Sequence, residues 1–204
     1  MNQDQLQALL TKVQQGALAV PDALHRLRTL PYENLGFASL DHHRALRQGF
    51  PEVIFCEGKT VSQVVAIAKT LLRKNNALLA TRVEPSVARA LLRVSKRAVY
   101  HEAARVVAIA PPKLVRRGAV LIVTAGTADI PVAEEARVTA DIMGSKTDTL
   151  YDVGVAGLHR LLGQQERLHD ARALIVVAGM DGVLPSVVGG LVRQPAIAVP
   201  TSRG

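Results

Sequence analysis

The stretch Ala173-Leu-Ile-Val-Val-Ala178-Gly-Met-Asp-Gly182-Val-Leu-Pro-Ser186 constrains the fold more than any other part of the chain. An apolar, β-branched run of strand length empties into a glycine-rich turn, and a helix-like segment follows at once. In a parallel sheet this is where the carboxyl end of a strand meets the amino terminus of a helix, so backbone N–H groups face whatever lies above the sheet. A phosphate or carboxylate suits such a place. So does a βα turn that only packs well, and the rest of the chain has to separate the two readings.

The same arrangement recurs through the C-terminal half. Ala119-Val-Leu-Ile-Val-Thr124, Asp148-Thr-Leu-Tyr-Asp152 and Ala196-Ile-Ala-Val-Pro200 read as further strands, and helical patterns occupy residues 131–143, 155–162 and 182–191. Strands alternating with helices imply right-handed crossovers and a mostly parallel sheet covered on both faces. The expected fold class is therefore α/β, with a doubly wound, flavodoxin-like sheet whose ligand site lies above the carboxyl ends of its strands. Three turns sit there. The first carries Thr124, Gly126, Thr127 and Asp129; the second carries Asp152 and Gly154, with His159 and Arg160 placing a base near the acid; the third carries Gly179, Met180, Asp181 and Gly182. Three such turns on consecutive strands favour a shared ligand site over packing alone.

Upstream, residues 3–30 hold two apolar-periodic segments broken at Gly16 to Pro21, which read as a helical hairpin and a packing or oligomerisation arm. Between Phe37 and Thr60 lies the densest polar cluster in the chain. Arg44, Arg47 and Lys59 read either as a loop holding an anionic ligand or a neighbouring subunit, or as a salt-bridged surface loop. Adjacent histidines on an extended strand point to opposite faces, which argues against His42 and His43 sharing a metal ion. A helix with Thr60 as N-cap that ends near Asn75-Asn76, a second at 85–92, and strands at 77–83, 98–100 and 105–110 make a small α/β unit, and Pro111 to Gly118 reads as a linker. The expected domains are a helical arm at 1–34, a small α/β domain at 35–112 and a doubly wound domain at 113–204.

Composition narrows the function classes. The 204 residues are 49% hydrophobic, enough for a sizeable core, and no apolar run reaches the roughly 20 residues that a bilayer requires. The polar start lacks a signal-peptide layout, and a single cysteine, Cys56, makes no internal disulfide; both point to the cytoplasm. The 25 Lys+Arg against 17 Asp+Glu give a net charge of +8, which suits an anionic partner. Aromatic residues make up only 3% and do not interleave with the basic ones, which argues against nucleic acid.

Taken together, Thr124-Ala-Gly-Thr-Ala-Asp129-Ile-Pro-Val-Ala-Glu-Glu135, Tyr151-Asp-Val-Gly-Val-Ala-Gly-Leu-His-Arg160, Ala178-Gly-Met-Asp-Gly-Val-Leu-Pro-Ser186 and Val199-Pro-Thr-Ser202 resemble the LarB family, the carboxylase/hydrolases that open nickel-pincer-nucleotide synthesis. Asp41-His-His-Arg-Ala-Leu-Arg-Gln-Gly-Phe-Pro-Glu-Val-Ile-Phe and Glu57-Gly-Lys-Thr60 resemble its N-terminal region, so the likeness runs from Leu35 onward. The resemblance implies a C-terminal domain similar to aminoimidazole ribonucleotide carboxylase. It also implies an enzyme that takes nicotinic acid adenine dinucleotide, carboxylates C5 of the pyridinium ring with CO2 or bicarbonate, and hydrolyses the phosphoanhydride to release AMP, assisted by Mg2+. On that basis Asp129 and Asp152 are expected to do acid/base or magnesium duty. The expected binding residues are Thr124, Gly126, Thr127, Gly154, Gly179, Met180, Asp181, Gly182, Ser186, Thr201, Ser202, Arg44, Arg47 and Lys59, in a homo-oligomer.

Two departures bear on the resemblance. The purine-pathway enzymes carry a histidine before Leu-Pro in the third turn, where this chain has Val183. The family's nucleophilic cysteine belongs to a segment after the Pro-Thr-Ser turn, whereas this sequence stops at Gly204, so the expectation is a chain cut short at its C-terminus. Cys56, in an apolar run, reads as a buried inert thiol. An enzyme of purine synthesis acting on aminoimidazole ribonucleotide, and a non-catalytic nucleotide-binding module, are the rival readings.

Overall fold

The computed structural model describes residues 3–27, 32–179 and 182–202. It divides into two compact units, Met1–Tyr100 with Val107–Pro112, and His101–Val106 with Lys113–Gly204.

The first unit opens with α1 (Gln3–Gln14) and α2 (Val20–Leu27), the expected hairpin, with Pro21 in the first turn of α2, where a missing N–H costs nothing. Leu30, read as the end of that second segment, lies outside the described residues. The polar stretch read as a loop is more ordered than its composition suggests. β1 (Tyr32–Asn34) and β2 (Ser39–Asp41) form an antiparallel ribbon, and the Asn34 side chain accepts the Gly36 N–H at 2.7 Å to set the turn. A short helix, α3 (Arg44–Gln48), follows and ends at Gly49, whose φ of 75° is left-handed. His42 and His43 thus occupy a turn and not an extended strand, because the strand stops at Asp41.

Next come β3 (Ile54–Phe55), α4 (Val61–Lys74), β4 (Leu78–Thr81), α5 (Pro85–Val94), β5 (Val99–His101) and β6 (Val106–Ile109), with the sheet order β3-β4-β6-β5. Thr60 starts α4 with a capping box, accepting the Gln63 N–H while the Gln63 side chain accepts the Thr60 N–H. Val64, Ile67, Ala68 and Leu71 recur at i, i+3, i+4 and i+7, and that stripe is buried against Leu78, Ala80 and Ile109.

The second unit runs β7 (Arg117–Thr124), α6 (Ile130–Ile142), β8 (Ser145–Leu150), α7 (Leu158–Leu162), α8 (Gln165–Asp170), β9 (Ala173–Ala178), α9 (Val183–Leu191) and β10 (Ala196–Pro200). All four strands are parallel, in the order β10-β9-β7-β8. Side chains alternate across the sheet. Leu121, Val123, Leu174 and Val176 pack with Leu161, Leu168 and Leu184 from α7, α8 and α9. Ile122 and Val177 point the other way and pack with Ala133 of α6. Helices on both faces make this a flavodoxin-like α/β sheet.

Three local readings shift. β7 begins at Arg117, inside the stretch read as linker, with Gly118 at φ 67° taking up a register irregularity. β8 spans Ser145–Leu150 and not 148–152, because its alternation is carried by Ser145, Thr147 and Thr149, which do not register as apolar. Asp152 lies beyond the strand, at φ 59°. The helix α8 has one buried apolar anchor, Leu168, and too short a period to stand out in the sequence.

Candidate functional site

Chain order and sheet order diverge at one place. From β7 the chain crosses to β8 on one side, then passes back over β7 to reach β9 on the other. At such a reversal the two neighbouring crossovers leave in opposite directions, and a crevice opens outside the strand carboxyl ends between them. The exits of β7 and β9 flank it.

The β7 exit is fixed by its own side chains. Thr124 is fully buried; its Oγ1 accepts the Asp152 N–H at 3.0 Å and its carbonyl accepts the Val153 N–H at 3.0 Å. The Ala125 carbonyl accepts the Gly154 N–H at 2.9 Å, and a Cβ at Gly154 would stand 2.7 Å from that oxygen, so only glycine lets the two turns approach. The chain then makes a single 3-10 turn, Thr127–Asp129, before α6. Asp129 is only 4% exposed, and both its oxygens are engaged: Oδ2 accepts the Gly126 N–H at 3.1 Å and Oδ1 accepts the Thr201 hydroxyl at 2.7 Å. Thr201 in turn donates its N–H to the Ala178 carbonyl at 3.1 Å, so the exits of β7, β9 and β10 are tied together.

The opposite side is charged. Asp152 Oδ2 accepts a 2.7 Å hydrogen bond from Arg160, whose guanidinium lies across Gly157, and both side chains are largely exposed. Just behind them, the Tyr151 hydroxyl donates to Glu134 on α6 at 2.5 Å, and Arg137 holds the same carboxylate with two nitrogens, at 2.9 and 2.8 Å. The Arg137 hydrogen bonds keep the Glu134 carboxyl below the usual range, and burial, with Glu134 beside it, pushes the Tyr151 phenol far above its ordinary value.

Of the residues expected at the site, Thr124, Gly126, Thr127, Asp129, Asp152, Gly154, Gly179, Gly182 and Thr201 all come to this one edge of the sheet. Gly182 precedes α9 at φ 64° and donates its N–H to Gly179 at 3.0 Å. Ser186 is exposed on the first turns of α9, and Ser202 is exposed after β10. Met180 and Asp181 lie outside the described residues. Arg44, Arg47 and Lys59 belong to the first unit. There Arg47 is taken up by Asp41 at 2.7 Å, and Lys59 donates to the Phe55 carbonyl at 2.7 Å beside a cavity of about 240 Å3 lined also by Ser39, Leu40, Glu52 and Ile54. Cys56 is buried, its thiol pushed up to about 11 by burial, which suits a core residue and not a nucleophile.

Arg160 stands beside Asp152, as the base read near the acid in the second turn, whereas Glu134 carries geometry that the sequence reading did not assign to the site. The Tyr151–Glu134 contact spans 17 residues, so no local pattern announces it.

A family model described as LarB/PurE-like N-terminal domain matches residues 32–111. An uncharacterized protein of Methanocaldococcus jannaschii is 36% identical over 208 residues, covering 97% of this chain and 81% of that protein. The chain belongs to the LarB family. Membership places it in a carboxylase-related enzyme family. No helix among the described residues of this LarB-family chain is long and apolar enough to cross a membrane.

Proposed function

We propose that this LarB-family chain binds nicotinic acid adenine dinucleotide in the crevice between β7 and β9 and serves carboxylation of its pyridinium C5 and hydrolysis of its phosphoanhydride. The observation that supports the reading is the strand order β10-β9-β7-β8, which puts the reversal point between β7 and β9, beside the glycine-rich turns at their exits. The Thr127 N–H and the amino-terminal end of α9 would face the phosphates, with Arg160 supplying a positive charge. A pyridinium is electron-poor, so carboxylation requires a nucleophile that adds transiently and makes C5 electron-rich toward CO2 or bicarbonate. Cys56 is unsuited to that step.

Asp152 is the better acid/base candidate of the two aspartates. Its Oδ1 has no hydrogen bond among the described residues, whereas both oxygens of Asp129 are in use. The same difference decides where magnesium would fit: Asp152 could share an ion with nucleotide phosphates, as magnesium sites built on one carboxylate do, and the ion would neutralise phosphate charge. No group of three or more His, Cys, Asp or Glu able to hold a metal occurs among the described residues.

The rival purine reaction needs a histidine where Val183 begins α9, and a valine side chain transfers no proton. Calorimetry tests the choice. Nicotinic acid adenine dinucleotide should bind saturably and carboxylated aminoimidazole ribonucleotide should not; the reverse preference would sink the reading. A homo-oligomer is part of the proposal, and a monomeric mass in solution would remove it.

A further inference from the structure

We propose that Tyr151 and Glu134 are a positioning pair that sets the Asp152–Arg160 wall of the candidate crevice. Asp152 sits at φ 59°, a left-handed conformation that aspartate adopts at modest cost, and hydrogen bonds from its neighbours hold it there. Two things impose it from the β7 side: Thr124 Oγ1 on the Asp152 N–H, and the Thr124 carbonyl on the Val153 N–H. The residue just before the kink is tied from the other side. The Tyr151 hydroxyl ends on Glu134 of α6, and the Glu134 carboxylate is itself oriented by the two-pronged hydrogen bond from Arg137. The three side chains are all partly buried, on the α6 face of the sheet, where Tyr151 packs with Ile122, Ala133 and Val177. A hydrogen bond to a carboxylate in such a place is stronger than a neutral one and fixes direction as well as distance. The pair therefore holds the peptide that carries Asp152, and through Asp152 it holds Arg160. The part concerning ligand affinity rests on the proposed dinucleotide reading; the part concerning the wall does not.

The test uses Tyr151→Phe, which removes one oxygen and leaves the packed ring, together with Glu134→Gln and the double variant. Amide hydrogen exchange in the ligand-free protein should show Asp152 and Val153 opening at least tenfold faster in Tyr151→Phe, with β9 amides unchanged. Glu134→Gln, which keeps an acceptor for the hydroxyl, should show a smaller effect, and the double variant should match Tyr151→Phe alone. Protection at Asp152 and Val153 equal to wild type, or loss spread evenly over the sheet, would overturn the proposal. With nicotinic acid adenine dinucleotide as probe, Tyr151→Phe should bind roughly tenfold more weakly. Wild-type protein that fails to bind it would strike the dinucleotide reading, while the exchange result still decides the positioning role.

Discussion

The Thr201 hydroxyl donates to Asp129 Oδ1 at 2.7 Å, joining two residues 72 positions apart and closing one side of the sheet's carboxyl edge. Asp129 also receives the Gly126 N–H, so one buried carboxylate fastens the β7 exit to the β10 exit. Its first task is architectural. Asp129→Asn keeps the shape but replaces an acceptor by a donor toward one of these groups. The expected loss is about 1–3 kcal/mol of stability, the cost of leaving buried polar groups badly paired, measured by urea unfolding. A variant as stable as wild type would show that the clamp contributes nothing.

Gly154→Ala should be costlier than a glycine-to-alanine change elsewhere in a loop. The added Cβ would stand 2.7 Å from the Ala125 carbonyl oxygen, a backbone atom that cannot rotate away. Separating the β7 and β8 exits to make room should destabilise the protein by roughly 1–3 kcal/mol, in the range of overpacked sites. A thermal midpoint indistinguishable from wild type contradicts the close approach.

In the first unit, pH should act through His42. Burial pushes its imidazole below the ordinary value, although Glu33 hydrogen-bonds to it at 3.1 Å and pulls the other way. A folded-state value below the unfolded one means that the unfolded chain takes up the proton first. Stability present above about pH 6.5 is therefore lost progressively as pH falls below it. Burial raises Glu33, but hydrogen bonds from His42 and Lys74 outweigh it and hold the carboxyl low, so its own contribution is lost only at still lower pH. Urea midpoints between pH 8 and 5 should fall for the wild type and flatten over that window in His42→Gln. Equal slopes would remove His42 as the cause.

Cys56 should resist alkylation. With its thiol buried and pushed up to about 11, it carries little thiolate at pH 8. Iodoacetamide labelling should be slow in native buffer and rapid in urea. Fast native labelling would reopen a reactive role for this thiol.

Much of the architecture is legible in the sequence because its signals are local. The apolar runs at 119–124, 173–178 and 196–200 form strands where they stand, and Thr60 caps α4 as its residue type indicates. The glycine-rich turns could be placed at the strand exits for the same reason. Partner choice is less visible. Asp129 looks the same in sequence whether it meets a ligand or Thr201, and Arg47 the same whether it meets an anion or Asp41. β8 hid its register because Ser145, Thr147 and Thr149 carry its inward alternation, and the Tyr151–Glu134 bond depends on how α6 packs on the sheet.

The central claim is that the β7/β9 crevice receives the dinucleotide. Backbone NMR of the folded chain titrated with nicotinic acid adenine dinucleotide tests it most directly. Saturable shifts should concentrate at Gly126, Thr127, Asp152, Gly154, Gly182 and the Arg160 side chain, while the amino-end residues of the same strands, such as Arg117 and Ala173, stay unmoved. A folded protein whose spectrum does not change, or changes only away from these turns, would contradict it.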